Sequence, residues 1–267
     1  MSLVIITAVC AFALAFILGT ALGFFRDFFA VPQNPAIDRI RELLPGANCG
    51  GCGFPGCDNF AAAIAAGSAG SAVCTAGGPG VAEKISALTG ASGGNAESMV
   101  SVLACRGSLS RAGFKGTYSG VQSCRGAKIS SGGTKLCSFA CMGFGDCVSA
   151  CKFGAIAMGA DGLPVISYAK CNGCGMCAKE CPQGLLKLIP AGRKGALALC
   201  SNKSPVKQGL IKSCSAACTA CGLCVKNCPQ RCISLETHIP VIDYSKCDSC
   251  GLCAEKCPTG VLKILSY

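Results

Sequence analysis

The chain has 267 residues, among them 26 cysteines, 36 glycines, one histidine and no tryptophan, and a formal charge of +11. So few aromatics and so much glycine leave a thin apolar core, which excludes one large domain held by burial alone; something other than packing must supply folding energy. The charge would suggest a nucleic-acid binder, but that sum counts every cysteine as neutral.

From the start to Phe25 there is no charged side chain. Residues 3–25 form an apolar run of roughly 35 Å as a helix, long enough to cross a bilayer. A cleaved signal peptide would need a basic leader, a shorter apolar stretch and a small-residue cleavage site, none of which is present. Arg26, Arg39 and Arg41 follow the run and no Lys or Arg precedes it, so the positive-inside bias keeps the remainder cytoplasmic. Ala11, Ala15, Gly19 and Gly23 recur at four-residue intervals, a stripe on which a second membrane helix could pack. The expected order is an anchor over 1–27, a linker over 28–36, a small domain over 37–90, a second linker over 91–97, and two modules over 98–190 and 191–267.

The small domain opens on Leu44-Pro45-Gly46-Ala47-Asn48-Cys49-Gly50-Gly51-Cys52-Gly53-Phe54-Pro55-Gly56-Cys57, with Cys74 farther on. Three cysteines on a glycine- and proline-rich loop can wrap a [4Fe–4S] cluster and donate N–H bonds to its sulfurs. The alanine-rich stretch 58–66 reads as a helix that returns Cys74 as fourth ligand.

Three later runs read C-x2-C-x2-C-x3-C-P: Cys171, Cys174, Cys177, Cys181 before Pro182; Cys218, Cys221, Cys224, Cys228 before Pro229; and Cys247, Cys250, Cys253, Cys257 before Pro258. This is the bacterial two-cluster ferredoxin pattern, in which the first three thiolates hold one cluster and the fourth holds its neighbour. The runs lie in a duplication. Pro164-Val165-Ile166-Ser167-Tyr168-Ala169-Lys170-Cys171 recurs as Pro240-Val241-Ile242-Asp243-Tyr244-Ser245-Lys246-Cys247, and Leu186-Lys187 as Leu262-Lys263. Cys137, Cys141, Cys147 and Cys151 align with Cys214, Cys218, Cys224 and Cys228, leaving Phe144 where the second copy has Cys221.

Five [4Fe–4S] clusters are therefore expected. Beyond the one on Cys49, Cys52, Cys57 and Cys74, the assignments are Cys137, Cys141, Cys147 and Cys181; Cys171, Cys174, Cys177 and Cys151; Cys218, Cys221, Cys224 and Cys257; and Cys247, Cys250, Cys253 and Cys228. Cys137 replaces the ligand lost at Phe144, with Cys124 as its rival. Cys10 and Cys232 are left as small apolar residues. Cys105, Cys124, Cys200 and Cys214 could form a further metal site, because Cys105 and Cys200 each follow a strand-like run and each precedes a second spare cysteine. Zinc also uses paired C-x2-C hooks, but a structural zinc site needs no proline-terminated fourth cysteine.

The modules read as α+β, with strands at Val165-Ile166 and Val241-Ile242 and helices after the fourth cysteines. An oxidised cluster on four thiolates carries roughly −2, so five of them bring the net charge near zero and disfavour polyanion binding. Basic stretches persist: Arg106, Arg111, Lys115, Arg125, Lys128 and Lys135 are the only charges between Glu97 and Asp146, and no acid lies between Glu180 and Glu236. Such faces could steer an acidic carrier. His238 reads as a surface turn residue. No phosphate loop, dinucleotide fingerprint, catalytic triad or carboxylate pair is present, so no catalytic residue is expected beyond electron transfer.

The anchor, the Asn48-to-Cys57 motif with Cys74, the Cys137/Cys141/Cys147/Cys151 run and the ferredoxin runs together resemble the B subunit of the Rnf complex. The resemblance covers essentially the whole chain. It implies an ion-translocating ferredoxin:NAD⁺ oxidoreductase of a bacterial or archaeal cytoplasmic membrane, in which this subunit takes electrons from reduced ferredoxin. The implied partners are the membrane-integral, flavin-bearing and NADH-binding subunits. The family's shorter members carry one ferredoxin module where this chain has two. A polyferredoxin subunit of a hydrogenase, a corrinoid protein sharing the Cys49-type domain, or a zinc-stabilised scaffold are the other readings; no residues remain for a corrinoid-binding barrel.

Overall fold

The computed structural model describes residues 2–29, 34–70, 72–90, 97–205, 209–235 and 238–264. Helix α1 (Ser2–Phe28) stands apart, with apolar side chains exposed around it, Phe12 by 75% and Leu22 by 70%. Residues Ile5–Arg26 are long and apolar enough to cross a membrane. A helix whose apolar side chains are exposed around it and not buried among the described residues calls for lipid or another protein.

Three helices build the first compact unit. α2 (Pro35–Leu43) starts earlier than the expected linker end, because Asn34 caps it by accepting from the Ala36 N–H and Pro35 suits the first helical position. α3 (Cys57–Ala65) is the expected alanine-rich helix. α4 (Gly78–Thr89) closes on Gly90, whose φ of 68° only glycine adopts readily. Ile40, Leu44, Phe60 and Ala61 form the core together with Cys57 and Cys74. The expected linker at 91–96 lies outside the described residues.

Among the described residues, the remainder contains four two-stranded antiparallel sheets. β1 (Met99–Leu103) pairs with β4 (Leu186–Pro190), and β2 (Ile156–Met158) with β3 (Pro164–Ile166). The pattern then repeats, β5 (Ala196–Ala198) with β8 (Leu262–Ile264) and β6 (Ile233–Ser234) with β7 (Val241–Ile242). Leu103 faces Leu186 and Ala198 faces Leu262, so the repeat extends to register. Two-stranded sheets this short are marginal alone. They are joined where Val100, Val102 and Ile189 bury against Leu197 and Leu199.

The remaining helices are α5 (Cys124–Ser131), α6 (Asp146–Ser149), α7 (Met176–Glu180), α8 (Leu210–Ser213), α9 (Leu223–Lys226) and α10 (Leu252–Glu255). Contrary to expectation, helices do not follow the fourth cysteines. In each run a glycine with φ between 76° and 82°, at Gly145, Gly175, Gly222 or Gly251, opens a one-turn helix before the fourth cysteine. The proline after the fourth cysteine of α7, α9 and α10 disfavours helical backbone at and beyond that point, and a strand follows. His238 sits exposed with φ 58°, as a turn residue does.

Candidate cluster sites

Cys49, Cys52, Cys57 and Cys74 come together as one set. Burial pushes the Cys74 thiol up, and Cys52, Cys49 and Cys57 add to the shift against a hydrogen bond from Gly77 N–H. The loop is shaped from within: Asn48, itself at φ 45°, accepts the Cys57 N–H at 2.8 Å, fixing the start of α3. The buried Thr75 hydroxyl finds no protein partner among the described residues. Beside four thiols, such an orphan donor fits an inorganic sulfide acceptor.

Cys151, Cys171, Cys174 and Cys177 form a second set. The Ser101 N–H donates to Cys171 Sγ at 3.4 Å, and Cys177 Sγ lies 3.4 Å from the Ser101 hydroxyl. Burial raises Cys177, as do Cys171 and Cys151, against the Ser101 hydroxyl.

The third set is Cys124, Cys141, Cys147 and Cys181, which line one apolar cavity. Burial pushes Cys147 up to about 11, with Cys124 and Cys181 next in effect. Cys141 is pushed up to about 12 by burial, then by Cys105, with Cys124 contributing. Cys137 does not line this cavity. The physical reason lies in Asp146, whose carboxylate accepts from the Cys124 and Arg125 N–H groups at 3.0 and 3.2 Å. The start of α5 is thereby tied to the residue preceding Cys147. Phe144, holding the place of the missing cysteine, packs its ring on Tyr118 instead.

Cys218, Cys221, Cys224 and Cys257 line a cavity of their own, and burial raises Cys224 to about 11, with Cys218 and Cys221 adding. Cys228, Cys247, Cys250 and Cys253 line another, with Cys232 as a fifth thiol whose sulfur is 3.5 Å from that of Cys228. In the first copy Ala155 stands after Cys151 where Cys232 stands after Cys228, and there the Ala155 N–H donates to Cys151 Sγ at 3.3 Å.

Across these sets the common cause of raised thiols is burial, followed by other thiols. Such groups do not ionise singly; iron binding displaces their protons together. Among the described residues no three cysteines or other ligating side chains close on a single ion.

Family profiles match three stretches of the chain: an Fe-S cluster family over 44–76, a 4Fe-4S dicluster domain over 140–186 and a 4Fe-4S binding domain over 240–263. The B subunit of the Na(+)-translocating ferredoxin:NAD(+) oxidoreductase complex of Acetobacterium woodii is 40% identical over 230 residues, 86% of this chain and 68% of the relative. Its counterpart in the proton-translocating ferredoxin:NAD(+) oxidoreductase complex of Clostridium ljungdahlii is 39% identical over 247 residues, covering 92% and 86%. The chain belongs to the family of Rnf complex B subunits. A third member, from the ion-translocating oxidoreductase complex of Methanosarcina acetivorans, is 40% identical over 175 residues, 65% of this chain and 66% of the relative.

In this Rnf protein the sets follow one another through space. Gly51 lies so close to the Cys174 carbonyl that a Cβ there would sit 2.6 Å from its oxygen, and the Lys179 ammonium donates to the Gly50 carbonyl at 3.3 Å. Cys49 is among the charges felt at Cys174, Cys177 among those felt at Cys147, and Cys105 among those felt at Cys141. Of the cysteines named for an extra metal site, Cys105 and Cys200 are among the thiols felt at Cys214, and so is Cys137, whereas Cys124 lines the cavity of the third set. Two members of the basic stretch also have inner duties that sequence alone could not reveal. Lys135 is buried, donating to Gly107 O at 2.6 Å, and Arg106 donates to Gly260 O.

Proposed function

We propose that this protein is the electron-receiving subunit of an ion-translocating ferredoxin:NAD⁺ oxidoreductase, anchored by α1 with its cluster-bearing part in the cytoplasm. The observation that carries the reading is the unbroken sequence of neighbouring thiol sets, from the Cys49 loop through Cys174 and Cys177 to Cys147 and Cys141. A chain of sites has a use only where single electrons must travel.

The proposed ligand groups are Cys49, Cys52, Cys57 and Cys74; Cys151, Cys171, Cys174 and Cys177; Cys124, Cys141, Cys147 and Cys181; Cys218, Cys221, Cys224 and Cys257; and Cys228, Cys247, Cys250 and Cys253. The last four form two tandem ferredoxin-like modules, near 98–190 and 191–267, behind the small domain near 37–90. Bound [4Fe–4S] clusters supply the chemistry by accepting and releasing one electron at a time. The polypeptide's part is to fix their spacing, exclude water with buried residues such as Leu185 and Val261, and aim N–H groups at sulfur. The exposed basic side chains that remain, Arg111 and Lys115 among them, suit an acidic ferredoxin. The partners are the membrane-integral, flavin-bearing and NADH-binding subunits.

The reading is tested with membranes carrying the complex. Replacing the chain by one with Cys174→Ala should abolish ferredoxin-dependent NAD⁺ reduction while leaving the other subunits assembled. Undiminished activity in that variant would remove the relay from this subunit.

A further inference from the structure

Six cysteines remain outside the five ligand groups, and four of them, Cys105, Cys137, Cys200 and Cys214, gather between the two repeats. A Cβ on Gly107 would lie 3.5 Å from Cys214 Sγ and 3.6 Å from Cys105 Sγ, so the two sulfurs face each other across a residue that has no side chain. Cys105, Cys137 and Cys200 are the thiols felt at Cys214, and Cys137 is felt at Cys105. The segments carrying them are stitched across the repeats: Gly113 N–H donates to Ser213 O, Ser215 N–H to Arg111 O, and the Ser201 hydroxyl to Ala104 O.

The duplication explains the convergence. Leu186 and Leu262 are repeat mates, and their strand partners are Leu103 and Ala198. Cys105 and Cys200 therefore each stand two residues beyond equivalent strand ends, where Ala104 N–H donates to Leu185 O and Leu199 N–H to Val261 O. Cys137 and Cys214 are mates as well. Each repeat contributes one cysteine of either kind, which is how a pseudo-symmetric four-thiolate site arises from two copies.

The surroundings are prepared for negative charge. Cys105 Sγ accepts from the Cys141 and Gly107 N–H groups, both at 3.4 Å, and Cys137 Sγ accepts from Asn202 Nδ2 at 3.5 Å, with Asn202 only 4% exposed. The Lys135 side chain, 3% exposed, has no carboxylate partner among the described residues and lies where its charge is felt at both Cys105 and Cys141. A buried ammonium without a counter-ion is expensive unless an anion accompanies it. A cluster on four thiolates is such an anion.

We propose that Cys105, Cys137, Cys200 and Cys214 hold a sixth [4Fe–4S] cluster, which joins the two repeats and lies between the Cys141 group and the Cys218 group. This deepens the relay reading, since it supplies the site that connects the first module to the second. Metal content tests it independently of NAD⁺ reduction. Full-length protein purified anaerobically in detergent should contain about twenty-four iron and about twenty-four acid-labile sulfide per chain, against about twenty for five clusters. Cys137→Ala and Cys214→Ala should each lose about four iron, and the double variant no more than either, because both remove one cluster. Cys124→Ala combined with Cys137→Ala should lose about eight, because those ligands belong to different clusters. A count near twenty in the unaltered protein, with or without one zinc, overturns the proposal. So does a Cys137→Ala/Cys124→Ala pair that loses no more than one single variant. If a variant fails to fold, the count on the unaltered chain decides. Loss of NAD⁺ reduction with the iron intact would speak against the relay alone.

Discussion

Gly51→Ala isolates the contact between the small domain and the first ferredoxin-like repeat. Gly51 has no left-handed φ, so alanine brings no backbone strain there; the whole effect is steric. The new Cβ would stand 2.6 Å from the Cys174 carbonyl oxygen and 2.9 Å from Thr75 Oγ1, about 0.8 Å inside ordinary contact with a backbone atom that cannot rotate away. Overpacking of this kind costs about 1–3 kcal/mol, which is roughly a 5- to 150-fold shift against the docked arrangement. The opposing contact, Lys179 to Gly50 O, is exposed and contributes about 0–1 kcal/mol at most. The clash therefore wins. Iron content should be unchanged, amide exchange at residues 50–51 and 173–175 should accelerate, and ferredoxin-dependent NAD⁺ reduction in membranes should fall at least several-fold. Gly80→Ala, which meets nothing within 4 Å, serves as the control. If Gly51→Ala matches that control in exchange and in activity, the two units are not coupled through this contact.

Cys232→Ala should leave the iron count unchanged, as a spare thiol beside a complete group requires; a loss of about four iron would make Cys232 the ligand in place of Cys228. Gly173→Ala should be far more damaging than Gly51→Ala, because φ is 66° and the new Cβ would meet the Met99 carbonyl at 2.4 Å; a thermal unfolding midpoint within a degree of the parent would refute this. Removing residues 1–26 should give a soluble, coloured protein that still takes electrons from ferredoxin but no longer restores activity to depleted membranes. In that truncated form, reduction by ferredoxin should slow as salt rises from about 0.1 to 1 M, over which the screening length shortens from roughly 10 to 3 Å; salt independence would clear the basic face of a docking role.

Much of this architecture is written in cysteine spacing. The Cys49 loop, the three proline-terminated runs and the Pro164/Pro240 repeat carry their meaning locally, because a cluster's ligands must follow one another on a tight loop. Helix α3 and strands β1, β3, β5 and β7 could likewise be read from residue type. The place of Cys124 could not. That Cys124 and not Cys137 lines the cavity of Cys141, Cys147 and Cys181 depends on the Asp146 carboxylate capping α5, a contact between residues 22 apart in sequence. A faint signal was present in Ser123, whose hydroxyl accepts from Gly126 N–H and marks a helix start just before Cys124. The equivalence of Cys105 and Cys200 was hidden for another reason: the segment from Cys105 to Cys137 is longer than that from Cys200 to Cys214, so the repeat loses register until the strand pairing restores it. The inward turn of Lys135 has no sequence signal at all, since a lysine in a basic stretch reads as solvated.

The relay itself is tested most directly by anaerobic titration of the purified, cluster-loaded protein with reduced ferredoxin, following the loss of visible absorbance as electrons enter. The account predicts that the protein accepts several electrons per chain from ferredoxin, and that Cys174→Ala lowers the number. Protein that holds its iron yet takes no electrons from reduced ferredoxin would contradict it.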